Sequence, residues 1–462
     1  MAVAIEQLES YLAEFSEFAR QNSQDTPLWL RDLRDRAFAR FCKVGFPTVR
    51  DEDWRFTSLS SVARTQFKLA RRGPLRLKRS DLASWQFEGC SAQLVFIDGL
   101  FEPELSACFE MPDTAVATGL WAAMRNHPDA VASHLGRYLD IERDPFCALN
   151  TAFINDGAFI HVPAGMVIKK PIHLLFVSTS GDAPSMTHLR NLIVVEKEAQ
   201  VSVVEDYVSF GSETPALSNA VTELIAGENT SVSHFLIERE HLQTCNISTL
   251  RIEQARSAAV ASHSLLLGGA LVRNNVHPVL AGDGGECLIN GLFIGNGRQH
   301  LDNYMLVEHA SPHCASRQFY NGILDGHSHG VFHGRIIVHK DAQKTDAKQT
   351  NRNLLLTDDA QIDTKPQLEI YADDVKCTHG ATIGQIEENA LFYLRSRGIA
   401  EVEARRLLLE AFAGECLDRM QPGPARDHAQ KLIERYLATI ALQPPPITPN
   451  ANTAERNWKE VE

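Results

Sequence analysis

The sequence lacks several patterns that mark common classes of enzyme and membrane protein. It has no GxxxxGK[ST] phosphate loop and no GxGxxG following a strand, so neither intrinsic ATP hydrolysis nor a dinucleotide site is indicated. No apolar run approaches the roughly 20 residues that a membrane-spanning helix needs. What remains is a chain of 462 residues with 44% hydrophobic content, enough for a sizeable core in two or three structural units.

Basic residues are also in short supply. The chain has 45 lysines and arginines against 58 acidic residues, a net charge of −13. A nucleic-acid-binding protein would normally carry a basic stripe, and a protein that docks on anionic lipid needs basic clusters. The composition therefore argues against both nucleic-acid and membrane partners.

Paired cysteine motifs are missing as well. The nine cysteines are scattered and never spaced CxxC, so neither a disulfide framework nor a zinc finger is indicated. Free thiols of this kind are typical of a reducing compartment. The first residues carry Glu6 and Glu9 instead of a basic segment and a long apolar stretch, so we expect neither a signal peptide nor a transit peptide. Together these features predict a cytoplasmic protein.

Along the chain, periodicity predicts four regions. Apolar residues near helical spacing predict a mainly helical region over 1–145. Over 146–390, short runs rich in Val, Ile and Leu are separated by Gly, Asn and Asp, as strands are. Two amphipathic stretches predict helices within 391–442, and the Pro-rich polar sequence of 443–462 predicts a disordered tail.

A weak repeat runs through the strand-rich region. An acidic–Ala–Gln tripeptide occurs at 198–200, 341–343 and 359–361, the last two 18 residues apart. A related acidic–Asn–Thr occurs at 228–230, 30 residues after the first. Coils of roughly 20 to 30 residues suit a parallel β-helix, but a β-sandwich with similar turns is equally compatible with this irregular spacing.

The sequence between residues 366 and 399 holds the densest candidate chemistry. Cys377 and His379 are two residues apart and would share one face of a strand. A thiolate and an imidazole so placed can reach a common metal ion, or act as nucleophile and base. A buried, unreactive cysteine explains Cys377 equally well.

The same region resembles a known family. YADDVKCTHGATIG (371–384), followed by LFYLRSRGI, is similar to the end of the β-helix in the SufB/SufD family, as are KTDAKQTNRNLLL (344–356) and FCALNTAFINDGAFIHVPAG (146–165). GFPTVRDEDWRFTSL (45–59) resembles the N-terminal part of the SufD branch. The first hundred residues hold only Cys42 and Cys90, whereas the SufB branch typically carries a cysteine cluster there.

This resemblance implies a mainly β fold, with a right-handed parallel β-helix core flanked by N-terminal and C-terminal α-helical regions. It implies a bacterial scaffold subunit without enzymatic activity that works in iron–sulfur cluster assembly. The expected partners are a SufB-like homologue, paired through the β-helices, and a SufC-like ATPase. The isolated chain is also expected to be able to pair with itself.

Two sites follow from the resemblance. His379, with Cys377 beside it, is expected to contact iron or a transient cluster at the SufB interface, and no stably bound cofactor is expected. The C-terminal helices are expected to dock the ATPase through an apolar stripe at i, i+3, i+4, i+7 and i+8. That stripe consists of Ala404, Leu407, Leu408, Ala411 and Phe412.

A second cluster supports an alternative from a different class. His327, His329, His333 and His339 have even spacing, close after Cys314. On an uninterrupted strand they would share a face, and imidazole is a common metal ligand. The alternative is therefore a metal-dependent β-helix enzyme, although Gly330 and Gly334 interrupt the run. A third hypothesis is a β-helix that only recruits an ATPase.

Overall fold

The computed structural model describes residues 2–22, 26–71, 77–179, 181, 183–211 and 214–441, without the side chains of 2–8 and 441. The tail predicted at 443–462 lies outside these residues. The described fold is mainly β, with helices at both ends of a parallel β-solenoid, as predicted. The parallel pairing of the strands excludes the β-sandwich, which is built from antiparallel sheets.

The described residues of the N-terminal region form six α-helices and five short strands. The helices are α1 (Ala2–Gln21), α2 (Leu28–Val44), α3 (Ser60–Arg64), α4 (Leu120–Asn126), α5 (Pro128–His134) and α6 (Pro145–Ala152). The strands are β1 (Lys68–Leu69), β2 (Ala92–Ile97), β3 (Leu100–Phe101), β4 (Ala107–Cys108) and β5 (Val116–Gly119). Two single-turn 3₁₀ helices cover Glu52–Trp54 and Asp81–Trp85.

The solenoid consists of two parallel sheets that the chain enters in alternation. Sheet 1 holds β6 (Ala158–Val162), β8 (Ser185–Val195), β10 (Ala216–Ala226), β12 (Thr244–Gln254), β14 (Leu271–Leu280), β16 (His300–His309), β18 (His329–Val338) and β20 (Gln361–Ile370). Sheet 2 holds β7 (Ile172–Thr179), β9 (Gln200–Phe210), β11 (Ser231–Arg239), β13 (Ala259–Leu266), β15 (Glu286–Gly295), β17 (Ala315–Leu324), β19 (Asp346–Leu355) and β21 (Lys376–Gly384).

The number of residues per coil is larger than the 18-residue spacing between the tripeptides at 341–343 and 359–361. Leu271 pairs in register with His300, and His300 with His329, which gives 29 residues per coil. The tripeptide at 341–343 precedes β19 of sheet 2, whereas that at 359–361 leads into β20 of sheet 1. The 18-residue spacing therefore separates two different corners, because the same turn chemistry recurs wherever the chain leaves a sheet.

The corner between a strand of sheet 1 and the following strand of sheet 2 has the same backbone conformation in every coil but the last. Its first residue has a positive φ, and its N–H donates to a carbonyl of the next coil, as Glu198 does to Glu228. Small or polar residues tolerate this left-handed conformation best, and the repeat places one at nearly every coil. The equivalent residues are Gly165, Glu198, Asn229, Ser257, Gly284, His313 and Lys344.

The interior between the sheets is mostly aliphatic but includes buried polar groups. The carboxylate of Glu205 is 1% exposed and accepts hydrogen bonds from the hydroxyls of Tyr207 and Thr222, each at 2.7 Å. His234 lies 3.1 Å from the same carboxylate. Because a buried charge is costly unless it is paired, these three contacts make Glu205 compatible with the core.

The two ends of the solenoid are closed to different degrees. At the N-terminal end, β2 extends sheet 2 beside β7, and β3 and β4 pair antiparallel with β2. In sheet 1, β5 pairs antiparallel with β6. At the C-terminal end, β20 and β21 are the last strands, and no described strand pairs with their outer edges.

Three helices follow: α7 (Glu388–Ser396), α8 (Glu401–Leu417) and α9 (Pro424–Ala441). Helices α8 and α9 lie on the outer face of sheet 2, where the side chains of Asn290 and Asn321 donate to the carbonyls of Cys416 and Phe412, both at 2.9 Å. They do not cover the open end. None of the described helices is both long and apolar enough to cross a membrane.

Candidate functional site at the open end of the solenoid

The predicted residues Cys377 and His379 lie on β21, the last strand of sheet 2. In register they pair with Ala347 and Gln349 of β19, whose side chains are buried in the solenoid. Because side chains alternate along a strand, Cys377 and His379 share one face of β21, and that face continues the solenoid interior. The interior therefore ends at these two residues.

The two residues differ in exposure. Cys377 is half-buried against the core, and this burial raises the pKa of its thiol above the ordinary value. Such a thiol is protonated at neutral pH and is a poor nucleophile until a metal or a partner changes its surroundings. His379 is exposed, and no described side chain hydrogen-bonds to its ring. Its imidazole is free to bind a metal ion or a partner residue.

Large apolar side chains surround this end. Ile370 and Ile383, at the ends of β20 and β21, are 40% and 51% exposed, and the adjoining Tyr371 is 63% exposed. Helix α7 has no buried residue, and its Phe392 and Tyr393 are 72% and 58% exposed. Exposed apolar clusters of this kind mark protein–protein contact surfaces. Unpaired strand edges beside them add unused backbone donors and acceptors.

The predicted stripe of α8 is divided by its packing. Ala404 is buried, Phe412 is buried in the cluster with sheet 2 and α9, Leu408 is half-buried, and Leu407 and Ala411 are exposed. The buried face of α8 also includes Leu409, Ala413 and Cys416. This face is rotated relative to the predicted stripe because α8 packs between sheet 2 and α9. Their role in docking an ATPase stays a prediction.

The second histidine cluster does not converge. His329 and His333 face outward from sheet 1 and contact Asp363 and Gln367 of β20, each at 2.8 Å. His327 lies 3.6 Å from Asp359, and His339 lies 3.3 Å from Glu308. His309 faces the interior, Cys314 is buried, and His313 occupies a corner.

Each of these histidines therefore has its own partner. Within the described ranges, no group of three or more His, Cys, Asp or Glu side chains is arranged to hold a metal ion. The geometry gives no support to the metal-dependent enzyme. The expected interruption at Gly330 and Gly334 is wrong, since both glycines lie inside β18. The histidines do not converge because each contacts a side chain of a neighbouring coil.

The same corner contains a GxSxG pentapeptide at 326–330, which is not a catalytic elbow. An elbow presents its serine on a turn between a strand and a helix. Here the pentapeptide joins β17 to β18, and Ser328 is fully buried. A serine-hydrolase site is thus excluded at this position.

Sequence reasoning missed a network of charged side chains on the outer face of sheet 1. A hydrogen bond from His277, whose ring nitrogen lies 2.6 Å from the carboxylate, lowers the pKa of Glu308 to about 2. His339 contacts the other carboxylate oxygen from the next coil. The residues are about 30 apart in sequence, so only the coil period could have revealed the network.

The fold and this end define a class: a parallel β-solenoid with one capped end and one open, apolar end. Comparisons agree with this description. The chain matches the model of the SUF system FeS cluster assembly, SufBD core domain over residues 176–412. It also matches the SufBD protein N-terminal region over residues 5–174.

Curated relatives extend the match. An iron–sulfur cluster assembly SufBD family protein of Synechocystis is 37% identical over 81% of this chain and 84% of its own length. The iron–sulfur cluster assembly protein SufD of Escherichia coli is 31% identical over 87% of this chain and 90% of its own length. SufD of Bacillus subtilis is 26% identical over 92% and 97%. The chain belongs to the SufBD family of iron–sulfur cluster assembly proteins, and the predicted resemblance to SufD is confirmed.

Proposed function

We propose that this protein is a scaffold subunit, without enzymatic activity of its own, that pairs with a SufB-type homologue through its open end and carries a SufC-type ATPase. The observation that carries the proposal is the unpaired edge of β20 and β21. A homologue with the same open end could continue both sheets across the junction, because edge strands pair readily with other chains.

The proposal assigns His379 and Cys377 to the junction. Both lie on β21 at the face that continues the solenoid interior, so a partner at the open end would enclose them. His379 would then supply one ligand to iron or a nascent cluster, which is the cargo of the complex and not a resident cofactor. Cys377 would be its soft neighbouring ligand once deprotonated.

The ATPase is assigned to the C-terminal helices. Helix α8 is fixed to sheet 2 through the side chains of Asn290 and Asn321, and α9 packs in the same apolar cluster, so a force applied to them reaches the solenoid. The exposed Leu407 and Ala411, with α7 before them, remain accessible to a partner. Nucleotide-driven movement of the ATPase would bias the junction as a population shift. A cytoplasmic location accords with the free cysteines.

The first test is co-expression of the tagged full chain with the SufB and SufC homologues of the same organism, followed by native mass determination. The expected result is one stable complex containing all three chains. A chain that purifies alone beside folded partners would contradict the proposal. A complex that forms with His379→Ala and still assembles clusters would leave only the recruiting role.

A further inference from the structure

The segment 52–57, part of the sequence DEDWRFTSL, docks on the outer face of sheet 1 instead of on the N-terminal helices alone. The ring of Trp54 lies 3.8 Å from the guanidinium of Arg273 on β14, and Trp54 is 7% exposed. The hydroxyl of Thr57 donates to Asp302 of β16 at 2.5 Å and lies 2.9 Å from the ring of His300. The buried carboxylate of Asp302 also accepts from Arg273.

The contacts continue from this segment to the outermost strand of sheet 1. Glu52 reaches β20 directly, with 2.8 Å between its carboxylate and the ammonium of Lys365. The ring of His300 packs against that of His329 at 4.7 Å, and His329 holds Asp363 of β20. A parallel set joins Tyr304 to His333 at 4.9 Å and His333 to Gln367. The outward histidines thus connect the segment to the edge strand.

No comparable bracing is described on β21. The side chain of Asn353 makes one long hydrogen bond, 3.4 Å, to the carbonyl of Thr382. Every β21 residue except Cys377 is exposed. The two strands of the open end are therefore held unequally, and the difference comes from the N-terminal segment. Because a strand can be extended by a partner only if its backbone is held straight and in register, bracing of β20 bears directly on pairing.

We infer that segment 52–57 is a positioning element that fixes β20 for pairing with the homologous subunit. Its residues act through Asp302, His300 and Lys365 and do not themselves touch the partner strand. This inference rests on the proposed function, since it concerns the same open end. It also gives the predicted histidines His329 and His333 a role as packing links.

The inference can be tested by exchanging the charges of one pair in the full chain. Glu52→Lys and Lys365→Glu each place like charges together, whereas the double exchange restores an ion pair. Hydrogen exchange of the amides of 361–370 should rise at least threefold in each single variant and return to normal in the double variant. Affinity for the SufB-type partner should fall and recover in parallel, and exchange at 376–384 should stay unchanged.

A matched control and a second variant complete the test. Glu228 forms an exposed ion pair with Arg256 at a mid-solenoid corner, so Glu228→Lys should alter neither quantity. Thr57→Val keeps the shape but removes the hydroxyl donated to Asp302, and should act like Glu52→Lys, whereas Thr57→Ser should behave as wild type. Unchanged exchange at 361–370, or raised exchange with wild-type affinity, overturns the inference.

Failure of the inference can be distinguished from failure of the proposed function. Ile383→Arg alters the open end itself, on the strand that segment 52–57 does not brace. If Ile383→Arg abolishes pairing and the variants of segment 52–57 do not weaken it, only the positioning role is wrong. If Ile383→Arg also pairs with wild-type affinity, the open end is not the pairing surface. Both the positioning role and the proposed mode of pairing are then wrong.

Discussion

At its N-terminal end the solenoid is finished by its own chain, whereas at its C-terminal end both sheets stop at an unpaired strand. The ring of Phe96 on β2 is fully buried between those of Phe101 and Phe176, at 5.4 and 4.9 Å. The equivalent position on β21, Ile383, is half exposed. Apolar side chains therefore stabilise the fold at the capped end, whereas at the open end they remain exposed and available to a partner.

The comparison predicts its largest effect at the capped end. Phe96→Ala should lower the free energy of unfolding by about 3 to 5 kcal/mol, because it leaves a cavity in a core that cannot collapse freely. Ile383→Ala at the open end should cost less than about 0.5 kcal/mol, since its side chain is already solvated. Urea unfolding of both variants measures the difference, and equal losses would show that the open end is covered in the isolated chain.

A second prediction compares the two ends by their effect on affinity for the partner, where the open end should matter more. Ile383→Arg should weaken pairing with the SufB-type partner by about 2 kcal/mol, roughly 30-fold, because it places a charge in the centre of an apolar contact. Phe109→Arg is the matched control, since Phe109 is 61% exposed beside β4 at the capped end. Titration of labelled partner onto each variant gives the two affinities. Equal weakening by both would contradict the assignment of the open end.

The third prediction concerns the charged network that joins the coils nearer the open end. Hydrogen bonding from His277 lowers the pKa of Glu308 to about 2, below its ordinary 4.5. Its contribution to stability is therefore fully present above pH 4.5 and is lost as the pH falls towards 2. Glu308→Gln should cost about 1 to 2 kcal/mol at pH 7 after allowance for solvent screening.

Urea unfolding of wild type and Glu308→Gln at several pH values checks this prediction. The difference between the two proteins should be present at neutral pH and shrink as the pH falls from 4.5 towards 2. Glu228→Gln, at an exposed ion pair elsewhere on the solenoid, should show almost no difference at any pH. A difference for Glu308→Gln that persists unchanged at pH 2.5 would mean that its carboxylate is not stabilised by the histidines.

The smallest effect on stability should accompany a large effect on function. His379→Ala should change the free energy of unfolding by less than about 0.5 kcal/mol, because the ring is exposed. Complex formation should be unchanged, while cluster assembly by the reconstituted complex, followed by absorbance, should fall at least tenfold. Cys377→Ala is the companion variant, and a loss there but not at His379 would transfer the ligand role to the thiol.

The sequence predicted more of the fold than of the site. Short Val, Ile and Leu runs separated by turn residues predicted the strands. The choice between β-helix and sandwich rested on the resemblance of blocks such as 146–165 and 344–356 to the SufB/SufD family. The tripeptide spacing misled because identical turn chemistry serves two corners. The apolar stripe of α8 could not reveal which of its residues would be buried, since that depends on the angle between α9 and sheet 2.

The sequence by itself determined that the chain forms a strand-rich repeat between helical regions and that Cys377 and His379 share a strand face, because both follow from local periodicity. Only the tertiary structure decided that segment 52–57 braces the neighbouring strand β20. It also decided that the evenly spaced histidines have separate partners. These facts depend on contacts between residues one coil or several hundred positions apart, and side-chain periodicity carries no information over that distance.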